Sequence, residues 1–249
     1  MSTYQDVVNA WGPIGAWALT ESAGTDFVPY TGPYHLTGSG TLLYRQAGPF
    51  AASLAVHLAT NARMLTNGLL LPGGQNTLEC WVHLDANPPA AFTPLMFWGN
   101  SAANGNGLVW DTDGFVKYYV PTVATTSTGF NPGAGWHLFQ LGNVPGVGGS
   151  VVIAVDGVIR YQKVQSTGLA GSPDQIGFGC TPVANSAVGL SIAFPAVYNI
   201  GLSPLMAQSI FEAASTPNDA ILKTPAGNTA NNALLNQIYA AVHRTFPTT

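Results

Sequence analysis

The sequence predicts an all-β protein: two antiparallel sheets packed into a sandwich, followed by a short helix and a helical C-terminal extension. Three observations lead there. Short apolar runs with a two-residue period recur through the chain. Gly/Pro-rich turn segments separate them, and helical periodicity enters only after residue 203. Each sheet is expected to bury one face, which accounts for the alternation without a parallel sheet.

The clearest strand is TLECWVHL (77–84), with Leu78, Cys80, Val82 and Leu84 on one face and Glu79, Trp81 and His83 on the other. Similar runs are AFTPLMFW (91–98), GLVW (107–110), FVKYYV (115–120), WHLFQL (136–141), SVVIAV (150–155), VIRYQKV (158–164), QIGFG (175–179) and VGLSIAFPAVY (188–198). Pro195 removes a ladder donor from the last of these and predicts an edge or a bulge there. Asp113-Gly114 and Asp156-Gly157 each predict a two-residue type I′ hairpin, because both positions of that turn need positive φ. The local patterns DGFVKY and DGVIRY match, but two copies indicate shared turn chemistry and not a repeat fold.

Ser203 stands at a helix cap and Pro204 at the first helical position of SPLMAQSIFEAAS, so a short helix should end near Ser215. Residues 216–229, with two prolines, read as a linker. NNALLNQIYAAVHRTF then carries an apolar stripe through Leu234, Leu235, Ile238 and Val242. That stripe either anchors the protein to a partner or an identical copy, or folds back on its own sandwich. The domain division is therefore 1–215 for the sandwich and 216–249 for linker plus helix.

Charge is the most unusual feature of the composition. Charged residues make up 7% of 249, against roughly 25% in an average soluble protein. The net charge is −4, so no basic face exists to hold a phosphate backbone, and nucleic-acid binding is excluded as a main role. A neutral polar surface rich in Gly, Ser, Thr and Asn suits a protein docked on others or one that faces neutral sugar. The segment Trp11 to Leu19 is broken by Gly12, Pro13 and Gly15, so no signal peptide is expected, and no run is long enough for membrane insertion. Cys80 and Cys180 read as buried free thiols, with one disulfide as the alternative.

The order of motifs resembles the laminin-G-like, concanavalin-A-like jelly-roll domains, especially those of bacteriophage structural proteins. YQDVVNAWGPIGAWALTESAGT is similar to that family's extended opening segment, NTLECWVHL and GWHLFQL to two of its strands, VVIAVDGVIRY to its hairpin, and IAFPAVYNIGLSPLMAQSIFEAA to its closing strand and helix. The resemblance covers roughly residues 4–215. It implies a jelly-roll sandwich serving as a lectin-like binder, an enzyme or a structural module, so the site must decide among them.

Glycoside hydrolysis needs two carboxylates flanking the bond, roughly 5–10 Å apart. The chain has three glutamates, Glu21, Glu79 and Glu212, none with an acidic residue two positions away, and Glu79 and Asp85 are six apart. No nucleophile elbow, phosphate loop or Cys-x-x-Cys is present, and the five histidines are scattered. His83 and His137 read as half-exposed strand residues beside a Trp. No cofactor is expected. The resemblance makes calcium at Asp111 and Asp113 worth testing, against a turn whose carboxylates cap local amides. An aromatic and amide-rich region, Trp98, Asn100, Asn104, Trp110, Tyr118 and Tyr119, is the candidate glycan platform, its aromatics having core packing as the alternative.

The favoured expectation is a non-enzymatic virion protein, made in a host cytoplasm, on the tail or capsid of a phage. Its partners would be other virion proteins and further copies of itself, with a cell-surface glycan as a contributing one. A carbohydrate-binding lectin-like module is the alternative, and a glycoside hydrolase the third reading.

Overall fold

A computed structural model describes residues 3–67, 75–101, 104–120, 124–143, 150–164, 175–181 and 188–215. Within them the chain forms two antiparallel sheets of eight strands each and two short helices. The predicted C-terminal helix, with Leu234, Leu235, Ile238 and Val242, lies outside the described residues.

The elements in order are α1 (Thr3–Ala10), β1 (Pro13–Ala16), β2 (Asp26–Phe27), β3 (Leu36–Ser39), β4 (Leu42–Ala47), β5 (Leu54–Leu58), β6 (Arg63–Asn67), β7 (Asn76–Leu84) and β8 (Thr93–Ser101). They continue with β9 (Asn104–Trp110), β10 (Val116–Val120), β11 (Ala124–Ser127), β12 (Gly135–Asn143), β13 (Ser150–Val155), β14 (Val158–Val164), β15 (Gln175–Phe178), β16 (Leu190–Tyr198) and α2 (Pro204–Ser215). The first sheet runs β14-β13-β12-β7-β16-β5-β4, with β1 also paired to β16. The second runs β11-β10-β9-β8-β15-β6-β3-β2.

Between the sheets lies one apolar core. Leu78, Cys80, Val82 and Leu84 of β7 point into it, as their alternation predicts, and meet Trp98, Trp110, Leu108 and Phe178 of the second sheet. Trp17 is fully buried there and satisfies its indole N–H on the Tyr34 carbonyl at 3.0 Å.

The expectation that each sheet buries one face fails for the first sheet. Its outer face carries Ala55, Ala154, Ala193 and Ala196, a floor of small side chains on which α1 and α2 rest. Tyr4, Val7, Val8 and Trp11 recur at i, i+3, i+4 and i+7, which makes α1 amphipathic and corrects the expectation of an extended opening segment. The Trp11 indole donates to Ser209 Oγ of α2 at 3.1 Å, and Phe211 of α2 stacks on Trp81 at 5.9 Å. The Ser203 hydroxyl accepts the Met206 amide at 3.2 Å and caps α2 as predicted.

Of the two hairpins, Asp156-Gly157 forms the predicted two-residue turn, with φ of 52° and 76° and Val155 opposite Val158. The other differs. Asp111 to Gly114 closes a wider loop through the Gly114 amide on the Asp111 carbonyl at 2.8 Å, and only Gly114 takes positive φ. Pro195 sits in a central strand, not at an edge. A break in register between Ala193 and Ala196 absorbs it, with Phe194 at φ 49°, so the bulge was the correct half of the expectation. Cys80 and Cys180 are free, buried thiols.

Candidate functional site: a cross-strand row on the outer face of the first sheet

The helices cover only part of the first sheet's outer face. Beyond them the cross-strand registers line up one residue from each of five adjacent strands. Trp136 of β12 pairs with His83 of β7, His83 with Ser191 of β16, Ser191 with His57 of β5, and His57 with Leu43 of β4. Register partners share a face. Their neighbours in sequence, Val56, Leu58, Val82, Leu84, Leu190 and Ile192, fill the core, so this row faces outward.

The row floors an open cleft of about 410 Å³, completed by Gln46, Ala47 and Asp85. That is within the size range of small-ligand sites. The Trp136 and His83 rings lie 5.3 Å apart in a tilted pair, and both are half-buried. His83 Nδ1 is 3.3 Å from the exposed Asp85 carboxylate. His57 Nδ1 faces Ser191 Oγ at 3.1 Å. Leu43 closes the far end, 48% exposed. Asp85 therefore serves a different histidine from the one on Ser191, and among the described cleft residues no nucleophile, base and orienting acid come together. An aromatic platform with hydroxyl, imidazole and amide groups beside it is a chemistry for holding polyhydroxylated ligands, the ligand's apolar ring faces lying against Trp136 and its hydroxyls against Ser191, His57 and Gln46.

The aromatic platform expected from the sequence is not formed by the residues named for it. Trp98, Trp110 and Tyr118 are buried in the inter-sheet core, because their strand positions carry them inward. The Trp110 indole is satisfied by the Gly114 carbonyl at 3.0 Å. Tyr119 does face out, half-buried against Phe92 at 5.4 Å and Phe97 at 6.2 Å, on the opposite side of the molecule from the cleft. The side chains of Asn100 and Asn104 lie outside the described residues. His83 does stand beside a Trp, whereas His137 turns inward, 6.2 Å from Trp110, with Nδ1 on the Asp156 carboxylate at 2.8 Å.

The calcium candidates already share a cationic partner. Lys117 Nζ lies 2.8 Å from Asp111 and 2.6 Å from Asp113, and its hydrogen bonds hold both carboxyls below the ordinary carboxylate range. A cation would have to displace that ammonium. Asp111 also accepts the Thr112 amide and Asp113 the Phe115 amide, which is the amide-capping turn.

Glu79 lies on the same outer face, two strand positions beyond Trp81 and under the helices. It is fully buried and accepts Gln140 Nε2 at 2.8 Å, the Tyr4 hydroxyl at 3.0 Å and the Tyr198 hydroxyl at 3.4 Å. Burial pushes its carboxyl up to about 7 against the pull of those three donors. Covered by α1, it is sealed away from Asp85, so the two do not flank a shared opening.

Comparison with known proteins bears on the architecture. No protein-family profile matches the sequence, and no curated protein does. Solved structures do. The binding domain of botulinum neurotoxin serotype D aligns with a TM-score of 0.61 at 12% identity, over 82% of this chain and 52% of that one. A type C botulinum neurotoxin structure, described as dependent for cell entry on two ganglioside molecules, gives 0.62 at 11% identity over 83% and 52%. The binding domain of neurotoxin DC in complex with SialylT gives 0.63 at 11% over 82% and 52%. The chain shares a β-sandwich fold with these receptor-binding domains. It spans about half of their length. At such identity the likeness concerns fold, and the phage origin suggested by motif order finds no counterpart among these structures.

Proposed function

We propose that the protein is a non-enzymatic carbohydrate-binding module that serves adhesion to a glycan-bearing surface. The observation that carries this reading is the five-strand row that presents half-buried Trp136 beside imidazole, hydroxyl and amide groups in an open cleft. Two of the structural neighbours are described as binding domains, one of them in complex with SialylT, and a third by its interaction with two ganglioside molecules, and that supports a binding role over a catalytic one. Among the described cleft residues Asp85 is the single carboxylate, which does not meet the two-carboxylate requirement of glycoside hydrolysis. A glycan array tests the reading: binding above background should be seen with the native protein and be lost in Trp136→Ala assayed at a temperature where circular dichroism shows the variant folded. No binding to any glycan would refute it.

Carriage on a phage particle is proposed as the setting, on the motif order and the sparse charge. Mass spectrometry of purified particles would find the protein in stoichiometric amount if this holds. Light scattering of the isolated protein tests the accompanying expectation of a homo-oligomer.

A further inference from the structure

Resting on the glycan-binding reading, we propose that the cleft takes a linear, uncharged oligosaccharide laid across the strands, and not a sialylated or otherwise acidic glycan. The first ground is shape. The row from Trp136 to Leu43 crosses five hydrogen-bonded strands. With neighbouring strands about 4.8 Å apart, it is about 19 Å long. A pyranose unit in a linear chain repeats at a similar interval, so the row seats about four rings, one over each strand-to-strand step.

The second ground is charge. None of the described residues that line the cleft is Lys or Arg, and Asp85 brings an exposed carboxylate to the Trp136 end. A sugar carboxylate or sulfate entering there would meet that like charge with no guanidinium or ammonium to offset it, which is discrimination by repulsion. The third ground is the order of the groups. Trp136 and His83 offer ring faces at one end, Ser191 and His57 a hydroxyl and an imidazole in the middle, and Gln46 an amide at the far edge. Stacking at one end and hydrogen bonding along the rest suits a chain that needs several rings to use the whole row.

Calorimetric titration at neutral pH tests this, using neutral linear oligomers of glucose, mannose and N-acetylglucosamine with two to six units, and 3′-sialyllactose. The expected result has affinity for at least one neutral series rising with length to about four rings and then levelling. Ser191→Ala should weaken the tetrasaccharide about fivefold, the equivalent of one net hydrogen bond. Gln46→Ala, on an exposed edge strand, repeats the test should Ser191→Ala melt lower than the native protein. Sialyllactose binding as tightly as the neutral chains and lost in Trp136→Ala would overturn the inference while upholding the site, as would affinity independent of length. Glycan binding that survives Trp136→Ala, or no binding at all, would overturn the functional reading along with it.

Discussion

Raising the pH from about 5 to about 8.5 should cost the fold about 3 kcal/mol through Glu79 alone. In the folded protein this carboxyl is pushed from 4.5 to about 7 by burial. The groups facing it are Tyr4 from α1, Tyr198 from β16, Gln140 from β12 and, farther off, Tyr30; none carries a positive charge. The folded state therefore keeps its proton where the unfolded chain has released it. That stabilisation is fully present below 4.5 and is lost as the pH rises through about 7. The protonated form has a local acceptor: Gln140 Oε1 is buried with no partner among the described residues, so turning the amide over lets the acid donate to it while both tyrosines still donate to Oε1. For a chain of this size the change corresponds to a melting midpoint lower by roughly 6–12 °C at the higher pH. The assay is thermal unfolding followed by circular dichroism across that pH range, on the native protein and on Glu79→Gln. The native midpoint should fall and that of Glu79→Gln should stay nearly level. Equal midpoints at both ends of the range for the native protein, or the same slope in Glu79→Gln, would refute the reasoning.

Further expectations concern stability and metal binding. Ser203→Ala removes the cap on α2 and should cost about 1 kcal/mol in urea unfolding. Gly157→Ala places a Cβ 2.9 Å from Phe211 Cβ at a φ of +76°, so strain and displacement of α2 should together cost about 1–3 kcal/mol in the same assay. Calcium or EDTA should leave the native melting midpoint unchanged, because Lys117 occupies the space between Asp111 and Asp113; a calcium-dependent rise would show that the ammonium gives way. In Lys117→Met the two carboxylates lose their shared partner, and the Asp113 side chain should titrate nearer its ordinary value by NMR.

Much of the second half of the sandwich was legible because its strands alternate. Leu78 to Leu84 and Val151 to Val155 announce which face enters the core between the sheets, and Ser203-Pro204 announces where α2 begins. No such alternation marks β2 to β6 and β11. Several are two to five residues long and mix Gly, Ser and Arg into the pattern, so their strand character comes from pairing and not from local preference. The helical stripe Tyr4, Val7, Val8, Trp11 was present in the sequence, but eight residues is a short window and the following glycines and proline drew attention to extension. The candidate site shows a different obstacle. Trp136, His83, Ser191, His57 and Leu43 are spread over almost 150 positions and meet only through register, while Trp98, Trp110 and Tyr118, close together in sequence, point into the core. Local composition identifies residue types, and only strand pairing says which of them share a surface.

The bond from Trp11 to Ser209 joins residues 198 positions apart. During synthesis α1 emerges early, with Tyr4, Val7, Val8 and Trp11 ready to be covered, yet their partners on α2 are among the last described residues to leave the ribosome. Both sheets close late, since β16 joins β7 to β5 in the first and β15 joins β8 to β6 in the second, and the layer that shields Trp81 has to wait longer still, for α2 behind them. A nascent protein halted before residue 209 would thus expose an aromatic surface on an otherwise assembled sheet, the kind of species that chaperones retain and that aggregates when they do not.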